Sequence, residues 1–304
     1  MTLNFLVTHS GGFHADELLS SVILTRLFPQ ADLLRSRDKQ LITPSADKII
    51  YDVGGAYDAE AQIFDHHQRP SPLREDGQPF SSFGLIWAHY GRAYLAALQV
   101  PEADIDPIHA KFDAKFVLPI DLLDNGAIEP SVAGVLSILT LPSLLGSLKP
   151  SYDDLSPSAD DDAFHAALPV ARIFVEAQIR NLAASARAQT AALAAIAAAG
   201  ASPILELPMG MPYRAALDKA GADHILFVVV PRGGDWTLGG IKLSNDTFEQ
   251  RADLPEAWAG LSDAALEAAS GVKGAKFCHK ARFIAVASTR EAILQMADLA
   301  IKAL

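Results

Sequence analysis

The apolar positions in the first third of the chain come in short blocks, each closed by polar or acidic residues. LNFLVT, ahead of His9, reads as a β-strand, and DELLSSVILTRLF after it has helical spacing with acids in its first turn. ADLLRSRD, DKIIYDVGG and AQIFDHH read as further strands with polar or acidic C-terminal ends, and SSFGLIWAHYGRAYLAAL reads as a helix. This alternation implies βαβ units and a mostly parallel sheet, whose ligand crevice lies beyond the carboxyl ends of the strands. Residues 107–125 look helical and stop at Asn125-Gly126, with Pro119 demanding a kink or break. Residues 143–163 are rich in Pro, Ser and Asp and read as a surface loop.

FHAALPVARIFVEAQIRNLAASARAQTAALAAIAAAG follows as a long Ala-rich helix ending at Gly200. Beyond it, SPILELP, DHILFVVVPRGGDWTLGGIKLS and RFIAVAS read as strands, the second a hairpin turning at Gly233-Gly234-Asp235. GGDWTLGG lies in that hairpin with no helix after it, so it reads as a turn and not as a nucleotide-binding loop. STREAILQMADLAIKAL is an amphipathic closing helix behind a Ser/Thr cap. The expected fold is α/β. A mostly parallel-sheet domain spans 1–160, an Ala-rich helical connector 161–201, and a smaller α/β domain 202–304.

The 304 residues are 50% hydrophobic and 20% charged, an ordinary globular balance. A single cysteine, Cys278, excludes an intramolecular disulfide and a cysteine zinc cage, so any metal is held by nitrogen and oxygen. No basic leader precedes the first strand, and no stretch approaches the ~20 apolar residues of a membrane span, so a cytoplasmic protein is expected. The net charge of -11 argues against a broad basic face that coats duplex nucleic acid. The acidity belongs to residues 1–201, with 14 Lys+Arg against 24 Asp+Glu. Residues 271–290 are the local exception: Lys273, Lys276, Lys280, Arg282 and Arg290 occur there without an acid.

The strand ends carry His9, His14, Asp16, Asp52, Asp65, His66 and His67, and Asp124 follows in a helix. A lone histidine of this kind would read as a satisfied polar group. Several strand ends loaded together point to divalent metal, because buried neighbouring acids otherwise repel one another. Two ions ~3.5–4 Å apart can clamp the attacking and leaving oxygens of a phosphoryl transfer. Arg69 directly follows the cluster and suits a phosphate contact, whereas Ser81 and Ser82 read as N-caps.

Taken in order, THSGGFHADE, YDVGG, FDHHQR, SSFGLIW and DLLDNG, with TRE near the C-terminus, resemble the melanocyte-proliferating-gene (Myg) family. That family in turn resembles the Asp-His-His (DHH) phosphoesterase superfamily. The likeness implies a DHH-like first domain with His9, His14, Asp16, Asp52, His66 and Asp124 as metal ligands. Asp121, one helical turn before Asp124, is an alternative ligand or a supporting partner. His67, Asp65 and Arg69 make up the expected catalytic set. The first motif is His-x4-His-x-Asp where the superfamily usually has His-x3-Asp-x-Asp, and a nitrogen in place of an oxygen shifts metal preference. Relatives tend to carry GFIGG after a histidine; here FCHKARFIAVAS surrounds His279, with bulky residues where glycine would allow close approach to a ligand.

The resemblance implies two divalent ions, Mn first with Mg, Fe or Zn as alternatives, and 3'-5' exonuclease action on RNA or short oligonucleotides. Substrate contacts are expected from Arg69 and, in the second domain, from Lys276, His279, Lys280 and Arg282 closing over the cleft. The rival readings are a small-phosphate or nucleotide phosphatase of the pyrophosphatase kind, and a metal-binding scaffold without hydrolysis. Expected partners are oligonucleotide ends or a small phosphate ester and no membrane, with a homo-oligomer left open.

Overall fold

The computed structural model describes residues 3–129, 134–244 and 246–304. They form two compact units, Met1–Ala183 and Ala184–Leu304. The first unit begins with β1 (Phe5–Thr8), α1 (Ala15–Leu27), β2 (Asp32–Arg35), β3 (Lys48–Tyr51), β4 (Tyr57–Asp58) and β5 (Ile63–Phe64). Its sheet has the order β2-β1-β3-β5-β4, and every pairing is parallel except β4 with β5. The C-terminal ends of β1, β3 and β5 therefore share one edge. Val7, Ile50, Val53 and Ile63 meet in one core cluster, which holds these short strands in register.

Helix α1 is buried continuously from Ala15 to Leu24, so that stretch has no solvent face and carries Asp16, Glu17, Ser20 and Ser21 into the interior. It packs against α2 (Ser82–Ala97), which α3 (Glu102–Phe112) follows. The break required at Pro119 takes the form of a π-helical turn, Asp113–Val117, which resets the phase so that Pro119 falls in the first turn of α4 (Leu118–Asp124). Asn125 caps that helix, and Gly126 leaves it at φ +65°, the left-handed region glycine favours.

The loop expected over 143–163 is shorter. α5 (Leu141–Gly146) and the start of α6 (Ala159–Ala199) occupy its ends, because three successive aspartates suit a helix N-terminus. Helix α6 supplies buried residues on both sides of the boundary between the units: Phe164, Ala167, Ala171, Val175 and Ile179 before it, Ala192 and Ile196 after it. Contrary to expectation, α6 is long and apolar enough by length and composition to cross a membrane. Its hydropathy comes largely from alanine, and a stripe at three- and four-residue spacing packs into the protein.

The second unit contains β6 (Ile204–Glu206), α7 (Arg214–Ala220), β7 (Phe227–Arg232), β8 (Asp235–Gly240), α8 (Asp263–Ser270), β9 (Ala275–Cys278), β10 (Ile284–Ala287) and α9 (Arg290–Lys302). The sheet order is β6-β7-β8-β10-β9, parallel only between β6 and β7. The hairpin turns at Gly233 and Gly234, and Thr289 caps α9 by accepting from the Ala292 amide. The basic stretch 271–290 is partly neutralised, because charge along the chain differs from charge in space. Lys276 pairs with Asp235 at 2.6 Å, Arg282 with Asp253 at 2.8 Å, and Arg290 with Glu206.

Candidate metal centre

The loop after β1 carries His9 and delivers His14 to the N-cap of α1, where the Glu17 carboxylate accepts from the His14 amide with both oxygens, at 2.7 and 2.9 Å. Asp16 and Glu17 thus sit in the first turn of a buried helix, whose dipole favours negative charge there. Asp52 follows β3 at φ 56°, a left-handed conformation that Asp tolerates better than most residues. Gly54, at φ +107°, takes a backbone conformation that favours glycine. Asp65, His66 and His67 follow β5, and α4 brings Asp124.

These residues converge. His9 Nε2 lies 3.1 Å from Glu17 Oε1 and 3.2 Å from Asp52 Oδ2. His66 Nε2 lies 3.4 Å from Asp52 Oδ1, 3.4 Å from Asp124 Oδ2 and 3.8 Å from Asp16 Oδ2. Four overlapping triplets have ligand atoms within 4.8 Å of one another: His9, His14 and Glu17; Asp16, Glu17 and Asp52; Asp52, His66 and His67; Asp16, His66 and Asp124. Neither oxygen of buried Asp16 accepts a hydrogen bond, and neither does Asp52 Oδ1. Buried carboxylate oxygens without donors fit a divalent cation, and a donor set of nitrogen and oxygen suits Mn, Mg, Fe or Zn.

The electrostatics of the cluster agree with that. Burial, followed by the carboxylates of Asp52, Asp124 and Glu17, pushes Asp16 well above the usual carboxylate range. Asp124 is raised as well, first by burial. Burial alone would raise Asp52, but His66 and His9 outweigh it and hold it at about 2; burial would likewise lower His9, yet Asp52 and Glu17 raise it to about 10. Protonated histidines thus offset acids that a cation would otherwise neutralise.

The remaining expected site residues divide. His67 is exposed and lines the same cavity as His14, Asp16, Asp52, His66 and Asp124. Asp65 does not line it. One Asp65 oxygen accepts from the Gly55 amide at 2.6 Å; the other accepts from the His66 and His67 amides and lies 2.7 Å from His67 Nδ1. Asp65, expected in the catalytic set, thus holds the turn after β5 and the His67 ring from outside the cavity lining. Asp121 joins no ligand group: Arg74 and Ser81 donate to it at 2.6 Å each and the Gly84 amide at 3.1 Å. It caps α2 from a neighbouring helix, while Ser81 and Ser82, expected as caps, bond instead to Asp121 and to the Phe64 carbonyl. Arg69 is exposed and outside the cavity lining. In the second unit His279 Nδ1 accepts from the Ala281 amide, its ring 4.4 Å from that of Phe283.

Two residues of the centre were passed over in the sequence. Glu17 looks like half of a capping box, yet one of its oxygens also reaches His9. Asn125 looks like a helix stop, yet its Oδ1 lies 3.4 Å from His66 Nδ1 while its amide donates to the carbonyls of Phe80 and Asp121.

Residues 5–301 match MYG1_exonuc, described as "Uncharacterised protein family (UPF0160)". The chain belongs to this MYG1 family. A MYG1 protein of Schizosaccharomyces pombe is 33% identical, with 97% of each chain covered. MYG1 exonuclease of Mus musculus is 32% identical over 95% of this chain and 83% of that one, and MYG1 exonuclease of Homo sapiens 30% identical over 95% and 84%. A manganese-bound exonuclease RecJ aligns with 99% of this chain and 91% of that one at 16% identity, with a TM-score of 0.26, too low to carry a conclusion.

Proposed function

We propose that this MYG1-family chain is a metal-dependent exonuclease that removes nucleotides from the 3' end of RNA or short oligonucleotides with two divalent ions, manganese first. The observation that carries this reading is the convergence of Asp16, Asp52 and Asp124 on His66 in one cavity, with both oxygens of Asp16 buried and without a hydrogen-bond donor. The family relatives named MYG1 exonuclease support the reaction class. His9, His14, Asp16, Glu17, Asp52, His66 and Asp124 would hold the ions.

When bound, the ions would polarise the phosphoryl oxygens and lower the pKa of an attacking water. The protein contributes position. Asp65 fixes the His67 ring through Nδ1, leaving Nε2 to meet a phosphoryl oxygen or the departing hydroxyl. Asn125 fixes His66 in the same way, so neither imidazole must reorganise as charge develops.

The test is hydrolysis of a labelled RNA oligonucleotide, bis-p-nitrophenyl phosphate and pyrophosphate, with Mn supplied and after chelation. Stepwise loss of 3' nucleotides that stops with the chelator is the expected result. Turnover of pyrophosphate alone would make the chain a small-phosphate hydrolase, and no turnover with metal bound would make it a scaffold.

A further inference from the structure

The cavity that holds the acidic cluster has a second wall that the metal chemistry does not use. It measures about 650 Å³, within the range of a small-molecule pocket and far too small for a folded nucleic acid. Besides the histidines and aspartates, its lining includes the half-buried Leu123 and Pro142, the edges of buried Phe13 and Ile120, and Lys149 just beyond α5. Lys149 is the one Lys or Arg among the described residues that line the cavity.

Its ammonium stands 5.9 Å from the ring centroid of Phe13, whose chain neighbour is the candidate ligand His14. It makes no ion pair among the described residues, although Asp16, Asp52 and Asp124 line the same cavity. Elsewhere in the first unit comparable cations are used up: Arg35 pairs with Asp161, and Arg74 with Asp113 and Asp121. A half-buried, unpaired ammonium keeps its place more readily when an anionic ligand completes it.

We propose that Lys149 is a substrate-binding residue that takes the phosphate of the terminal nucleotide, while the half-buried Leu123 and Pro142 of the same cavity receive the base. The assignment rests on the reading of the site as a phosphodiesterase, and it adds how an acidic cavity attracts an anion. The acids would hold the ions that act on the bond that breaks. Lys149 supplies a fixed positive charge that the metal does not, in the lining shared with Pro142, Ser143 and Gly146 of α5.

The experiment uses Lys149→Met, which keeps the apolar stem and removes the charge, and Lys149→Arg, which restores a charge. Dissociation constants for adenosine monophosphate and for adenosine are measured by calorimetry on the manganese-loaded protein, with metal content by elemental analysis. KM and kcat are read on a short RNA. Expected are a roughly tenfold to hundredfold weaker monophosphate affinity in Lys149→Met, the worth of one charge-assisted hydrogen bond, with adenosine affinity and metal content unchanged. KM should rise with kcat within about twofold, and Lys149→Arg should recover most of the loss.

Equal monophosphate affinity in wild type and Lys149→Met overturns the proposal, as does an equal loss for adenosine, which would mean packing and not phosphate contact. The binding arm needs no turnover. A wild type that binds the monophosphate through Lys149 but hydrolyses no diester sinks the hydrolase reading alone; RNA turnover with unchanged KM in Lys149→Met sinks the Lys149 assignment alone.

Discussion

Asp16 shows what the centre asks of a single residue. It is a fully buried carboxylate with three acidic neighbours and no hydrogen-bond donor, a combination that destabilises a metal-free protein. Because its folded-state pKa is raised, the folded form binds a proton more tightly than the unfolded one, so this residue subtracts stability as pH rises above the ordinary carboxylate range. Asp16→Asn should therefore raise the melting temperature of the metal-free protein by a few degrees near pH 7, while manganese affinity falls by an order of magnitude or more. Differential scanning fluorimetry with and without chelator reads both, and a lower metal-free melting temperature would contradict the assignment. His9 and Asp52 have the opposite sense. His9, raised from 6.5 to about 10, contributes stability in full below about 6.5 and loses it as pH climbs through 10. Asp52, lowered from 3.8 to about 2, contributes above about 3.8 and loses it as pH falls through 2. Between those limits the His9 proton must leave before the imidazole can ligate, so metal binding should release protons and tighten from pH 6 to 8. Titration calorimetry in buffers of different ionisation enthalpy checks this, and a pH-independent affinity would rule His9 out as a ligand.

The same side chains depend on how elements meet, and the junction of α2 with α4 is the clearest case. A Cβ at Gly84 would stand 2.1 Å from Asp121 Oδ2, so only glycine lets the α2 N-terminus close on that carboxylate. Asp121 in turn neutralises Arg74 and shares with Asn125 the turn that carries Asp124. Asp121→Asn should lower the melting temperature by several degrees, because Ser81 and the Gly84 amide lose their carboxylate while Arg74 keeps Asp113, and Asp124→Asn should leave the fold intact but remove metal and activity. Thermal melts and elemental analysis on both variants separate the roles; metal loss at Asp121→Asn without destabilisation would return Asp121 to the ligand set. This division was half legible in the sequence. Strand ends announce themselves through apolar blocks cut off by polar residues, so His9, Asp52 and His66 could be named from pattern. Which of two aspartates one turn apart faces the ligand depends on helix phase, and the π-turn at Asp113–Val117 changes that phase with only Pro119 to hint at it. β9 was hidden because Lys276 and its neighbours read as a charged patch, while the acids that answer them, Asp235 and Asp253, come from other segments. Lys149 was lost in a stretch whose serines, prolines and aspartates read as loop.

At the level of the whole chain, acidity and metal binding belong together. Among the described residues, 1–183 supply the candidate ligands, which come from four separate stretches: the β1–α1 loop with the first turn of α1, the end of β3, the end of β5 and the end of α4. A cation that bridges them links segments that are distant in sequence but adjacent in the fold. It stabilises the native state by RT ln(1 + [L]/Kd), about 2.7 kcal/mol at a hundredfold excess over Kd. That stabilisation belongs where the ligands are. Manganese added to chelator-treated protein should slow amide hydrogen exchange in residues 5–27, 48–67 and 118–125, and leave residues 202–304 close to their metal-free rates. The reason is local: the first group loses its low-energy opening once its carboxylates are held, whereas the second unit has its own core around Leu238, Ala285 and Met296 and provides none of the proposed ligands. Hydrogen exchange read by mass spectrometry resolves both regions in one experiment. Protection appearing chiefly in residues 202–304 would mean that the metal sits elsewhere, and the strand-end cluster would then be a buried acidic network held by its own histidines.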